Sequence, residues 1–125
     1  MSQLARRIDP ISSHEAAAEV EAEGTQIYQQ LQTLRMVALY GAGTRAEIAI
    51  QNTNDHMAKR KGRHSYDFEY MQALTNQTKV MMGRRLPELA KNGLIELVEI
   101  RRCTIANRKS QVWRCTAIGL AACEQ

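Results

Sequence analysis

The sequence predicts a mainly α-helical chain closed by a small β-hairpin, an α+β fold, and three observations predict it. Between residues 25 and 92 apolar side chains recur at helical spacing: Ile27, Leu31, Leu34 and Ala38, and later Met82, Leu86 and Leu89, fall at i, i+4, i+7 intervals. At Asn92-Gly93 that period stops. "LIELVEIRRC" and "SQVWRCTAI" then show strand propensity around the turn-forming "TIANRKS". Finally, 125 residues with 44% hydrophobic and only 5% aromatic content suit one modest core of Leu, Ile, Val, Ala and Met.

The elements follow in order. The first ten residues read as an arm ending at Asp9-Pro10. "SSHEAAAEVEAEG" reads as a short acidic helix, capped by Ser12 or Ser13, with Glu15 in its first turn and Gly24 as its stop. This places residues 1–24 apart from a domain at 25–125. "TQIYQQLQTLRMVALYGAG" is a strong helix capped by Thr25 and halted by Gly41 and Gly43. In "TRAEIAIQN", Thr44 starts a helix, Glu47 completes a capping box and Ile48 points inward. Residues 53–66 read as a solvated basic insertion loop holding Lys59, Arg60, Lys61 and Arg63. "YDFEYMQAL" resumes as a helix with Phe68, Met71 and Leu74 along one side, and "TNQT" is a polar turn. "KVMMGRRLPELAKNG" is the next helix, with a kink or restart expected at Pro87 and a stop at Gly93. The tail "GLAACEQ" suits a last helical turn.

Composition narrows the function. No apolar run nears the roughly 18–20 residues a membrane span requires, and no apolar run follows the early arginines as in a secretory signal. A cytoplasmic protein with no membrane partner is expected. Cys103, Cys115 and Cys123 lack paired metal-ligand spacing; Cys103 and Cys115 can face each other across the hairpin, or all three are reduced, half-buried thiols. The net charge of +4 is uneven. Two arginines against five carboxylates leave residues 1–24 at −3, so the remainder carries +7. A basic body of this kind suits a polyanionic partner. No glycine-rich phosphate loop, HExxH, nucleophile elbow or ordered acidic pair stands out, so neither catalytic residues nor a metal or other cofactor is expected.

Helix, helix, polar turn, helix, Gly, strand, basic loop, strand: this order, with "RRLPELAKNGLIELV" at its centre, resembles the winged helix-turn-helix DNA-binding family. "RRIDPISSHEAAAEV" and "QVWRCT" resemble the opening and the last wing strand of small winged-helix proteins encoded by phages and prophages. Together these segments cover about half the chain. The sequence departs from the family pattern in the distance between "TRAEIA" and the recognition-like helix. Either residues 49–66 interrupt the motif, or Asp67–Leu74 is the positioning helix; the second is favoured. The resemblance implies a recognition helix at about Thr78–Asn92 and a wing at Leu94–Ala117. It also implies sequence-specific binding to double-stranded DNA and work in a bacterial host cell, in transcriptional regulation or as a replication or recombination accessory factor.

On this reading Gln77, Thr78, Lys79, Gly83, Arg84 and Arg85 meet DNA from the helix. Arg101, Arg102, Arg108 and Lys109 meet it from the hairpin, and Lys59, Arg60, Lys61 and Arg63 from the loop. Gly83 would let the backbone approach closely, and the arginines suit phosphates or guanine edges. Other roles stay open: Arg84 and Arg85 solvated or paired with Glu88, Arg101 and Arg102 guarding a sheet edge, and Trp113 plugging the core under the wing. Tyr66, Phe68 and Tyr70 invite a single-strand reading, and a protein-interaction module is the further alternative. The apolar side of Ser13–Glu23 can pack on its own domain or on a second subunit as a homodimer.

Overall fold

The computed structural model describes the backbone of residues 10–60 and 68–124, with side chains described from Gly24. Among the described residues, four helices and three short strands run in the order α1 (Pro10–Tyr40), β1 (Gly43–Thr44), α2 (Arg45–Lys59), α3 (Phe68–Lys91), β2 (Ile95–Arg102), β3 (Lys109–Cys115) and α4 (Ala117–Cys123). The strands form one antiparallel sheet in the order β1-β3-β2. The chain is therefore mainly helical with a small sheet, as the sequence predicts.

α1 is a single helix of 31 residues, so Gly24 does not stop it. Pro10 suits the first helical position, where its missing N–H has no helical partner to lose. A glycine inside a helix costs only about 1 kcal/mol, which strong helix formers on both sides outweigh. A methyl group at Gly24 would meet nothing within 4 Å. Gly24→Ala is therefore expected to stabilise the fold by about 0.5–1 kcal/mol in urea unfolding.

The buried face of α1 also differs from expectation. Ile27 is 64% exposed, whereas Thr33, Leu34, Met36 and Val37 are buried. The core joins that stretch to Ile48 and Ala49 of α2, to Met82, Leu86 and Leu89 of α3, and to Ile95 and Trp113 of the sheet. Trp113 thus fills the core beneath the hairpin. Phe68, expected to pack, is 72% exposed at the start of α3.

α2 begins as the sequence predicts. Thr44 Oγ1 accepts the Glu47 N–H at 3.2 Å, and Glu47 Oε1 accepts the Thr44 N–H at 3.2 Å. It runs further than the sequence predicts: residues 53–59 of the expected basic loop continue the helix. Thr53 is buried and its hydroxyl meets that of Thr75 at 2.7 Å. Tyr40 at the end of α1 hydrogen-bonds Asp55, and burial together with that carboxylate pushes its hydroxyl up to about 12.

The polar turn at "TNQT" does not form, since α3 runs unbroken for 24 residues. Thr75 and Thr78 turn their hydroxyls onto their own helix, donating to the carbonyls of Met71 and Leu74 at 2.9 and 2.8 Å. That bond satisfies a hydroxyl within a helix. Residues 68–74, expected as a separate positioning helix, are thus the start of α3, and α2 is the helix before it; Asp67 lies outside the described residues. Pro87 lies inside α3 without ending it.

Gly93, at φ +76°, ends α3. The Leu94 N–H reaches back to Leu89 O at 3.0 Å and the Gly93 N–H to Ala90 O at 3.1 Å, a Schellman closure. Thr116 holds the other end of the hairpin there, donating to Gly93 O at 2.7 Å and capping α4 through the Gly119 N–H. A methyl group on Gly119 would lie 1.9 Å from Leu94 O. Gly119→Ala must push α4 off this backbone and is expected to lower stability by about 1–3 kcal/mol in thermal unfolding.

Candidate nucleic-acid interface

The hairpin register decides which cations face which way. β2 pairs with β3 from Ile95↔Cys115 to Arg102↔Lys109, with an irregularity between Leu97 and Glu99. Cys115 thus faces Ile95, and Cys103 lies beyond the last pair, so the two thiols do not oppose each other. Cys103 is buried, with its Sγ 2.9 Å from Thr44 Oγ1. All three cysteines are free. Burial, with Cys123 nearby, pushes the Cys115 thiol up to about 11.

Glu47 ties the tip of the hairpin to the start of α2. Arg101 donates to it through two guanidinium nitrogens, at 2.8 and 2.7 Å. Thr104 donates its backbone N–H and its hydroxyl, at 3.1 and 2.9 Å. The Arg101 hydrogen bond dominates over burial and holds this carboxyl well below the ordinary carboxylate range. Arg101, expected at DNA, is thereby committed to the fold. Arg102 stays exposed near the tip and donates to the backbone and side-chain oxygens of Asn107 at 3.0 and 3.1 Å.

Arg85 is also committed. Its side chain is only 15% exposed and pairs with Glu88 at 2.9 Å. Gln30 of α1 donates to the same carboxylate at 2.6 Å, and this bond leads the set that holds Glu88 below its ordinary value. Of the two roles open to Arg85, pairing with Glu88 is the one the fold uses. Thr78 is 7% exposed and bound to its own helix, so it does not face a ligand.

The remaining cations converge. An open groove of about 380 Å³ lies between α3, the start of α2 and the hairpin. Lys79 and Gly83 line one wall, Arg108 and Lys109 the other, and Arg45 the end, with Trp113 at the base; none of the described lining residues is acidic. Arg45 was missed in the sequence because "TRAEIA" reads as a helix start. The available signal is its place as the first helical residue after the Thr44 cap, inside the capping box.

Gly83 has a role within the fold itself. A methyl group there would lie 2.4 Å from the Arg45 guanidinium, so the glycine makes room for that cation. Pro87, one turn later, leaves the Gly83 carbonyl without its helical donor.

Gln77 and Arg84 lie outside this groove, on the outward side of α3. They line a shallower depression with Asn76 and Val80, bordered by Gln29 of α1. Lys59 is exposed at the end of α2, and Arg60 lies over the Tyr70 ring at 4.6 Å. Tyr70 also stacks with His56 at 6.2 Å between centroids. Lys61 and Arg63 fall outside the described residues, as does the Ser13–Glu23 side-chain surface offered for a second subunit.

Fold and site together define an α+β chain with a three-stranded sheet and a cationic groove between one helix and the hairpin. No family model, curated protein or solved structure matches it. Among the described residues no cluster of His, Cys, Asp and Glu could hold a metal ion, and no helix is long and apolar enough to cross a membrane.

Proposed function

We propose that the chain is a winged helix-turn-helix protein that binds double-stranded DNA, with α3 as recognition helix and the β2–β3 hairpin as wing. The observation that carries this reading is the groove: four cations from three elements converge with no carboxylate among the described lining residues. Such a cluster repels itself, and a polyanion relieves it. The element order and the β1-β3-β2 sheet support the same reading. α2 then takes the positioning role, and the outward side of α3 is the face presented to the major groove. A phage or bacterial regulator, or a replication or recombination accessory factor, fits a small module of this kind. Two copies on paired half-sites would suit it as a homodimer.

Fluorescence anisotropy of a labelled random duplex tests the reading. With four phosphates neutralised, affinity should fall about a hundredfold between roughly 50 and 200 mM salt. An excess of unlabelled single strand should compete poorly. Weak binding without a salt slope would favour the protein-interaction module, and preferential competition by the single strand would favour the stacking surface near Tyr70.

A further inference from the structure

The groove accounts for the charge of the site but not for the outward face of α3. Asn76, Val80 and Arg84 follow one another at i, i+4 and i+8 along that face, and all three are exposed. Val80 is 55% exposed and is the apolar member of this otherwise polar line. Arg84 has no hydrogen-bond or ion-pair partner among the described residues, unlike Arg85 beside it. The three side chains offer three different chemistries in a line: an amide, a methyl-bearing surface and a guanidinium. The groove cations lie on the hairpin side of this line.

We infer that Asn76, Val80 and Arg84 are the base-reading residues, contacting an adenine, a thymine methyl and a guanine in that order. This rests on the proposed duplex binding and adds which residues carry specificity. An amide matches the acceptor and donor edge of adenine, a guanidinium matches the two acceptors of guanine, and an apolar side chain matches the thymine methyl. Successive i, i+4 positions rise about 6 Å along a helix. The base-pair step is about 3.4 Å per strand. The three contacts therefore span roughly four base pairs within one major groove. Gln77 flanks this line on the α1 side, and the Arg45 guanidinium lies against Gly83 on the other.

Selection from a random duplex pool tests the assignment, run on the intact chain and on Asn76→Ala, Val80→Ala and Arg84→Ala. The substituted positions are exposed, so thermal unfolding of each variant should match the parent. The parent should enrich a short motif holding a guanine and an A·T pair three or four base pairs apart. Arg84→Ala should lose about tenfold discrimination at the guanine alone, Asn76→Ala a similar amount at the adenine alone, and Val80→Ala less, at the thymine alone. All three should keep the parent's salt slope on random duplex. An enriched motif that survives Asn76→Ala and Arg84→Ala unchanged overturns the assignment, as does salt-dependent duplex binding with no enrichment; both leave duplex binding intact. Absence of salt-dependent binding by the parent overturns that reading as well.

Discussion

Glu47→Ala should lower stability by about 2–4 kcal/mol at pH 7, the largest loss expected from any single side chain outside the apolar core. The figure follows from how much converges on one carboxylate. Glu47 completes the α2 cap, and such caps are worth roughly 0.5–2 kcal/mol. It also accepts both Arg101 bonds and both Thr104 bonds. Its side chain is 12% exposed, against 34% for Arg101, so solvent screens the pair only in part. Removing the acid strands a half-covered guanidinium and frees the hairpin tip from α2.

The pH dependence has a fixed sign. The folded-state carboxyl titrates below its ordinary value of 4.5. Its contribution is therefore present above about pH 4.5 and is lost as pH falls toward the depressed folded value. The stability gap between the parent and Glu47→Ala, read from urea midpoints, should be constant from pH 6 to 8. It should narrow steadily below pH 4.5. A gap that stayed constant down to pH 3 would mean the loss comes from packing and not from the charge.

This carboxylate shows what the sequence could reveal. The Thr44–Glu47 capping box is local, so three residues suffice to predict it. Glu47's other partners lie more than fifty residues away, and nothing nearby announces them. The same limit applies to the cations. Arg84 and Arg85 are adjacent in sequence, yet about 100° apart around a helix. One faces solvent and the other faces Glu88 and Gln30. Arg101 and Arg102 point to opposite sides of a strand, so one meets Glu47 and the other Asn107. A doublet of arginines predicts charge but not which member is free.

Helix ends divide along similar lines. Gly93 was legible because its positive φ suits glycine and strand residues follow at once. Gly24 and "TNQT" misled because each is a weak breaker. One costs about 1 kcal/mol against Ala. In the other, Thr75 and Thr78 have a helical use for their hydroxyls. Strand β1 has only two residues and no pattern to detect; it is fixed by pairing Gly43 with Trp113 and Thr44 with Val112.

Reversing charge at two groove positions, Lys79→Glu with Arg108→Glu, should weaken duplex binding at least a hundredfold while leaving the fold intact. The two residues stand on opposite walls, one on α3 and one at the end of the hairpin loop. Each neutralised phosphate contributes roughly −0.9 to the log–log salt slope, so losing two contacts should shrink the slope by about 2. The new carboxylates add repulsion on top of lost attraction. The folded chain should respond the other way. Neither cation has an ion-pair partner among the described residues, and relieving their mutual repulsion should hold or slightly raise the melting temperature. Arg85→Ala supplies the contrast. It breaks the Glu88 pair and should lower the melting temperature, yet the salt slope should stay at the parent value because Arg85 faces α1. Anisotropy titrations at several salt concentrations, beside thermal melts of the same samples, read both quantities. An unchanged slope in the double variant would show that the groove does not carry the phosphates.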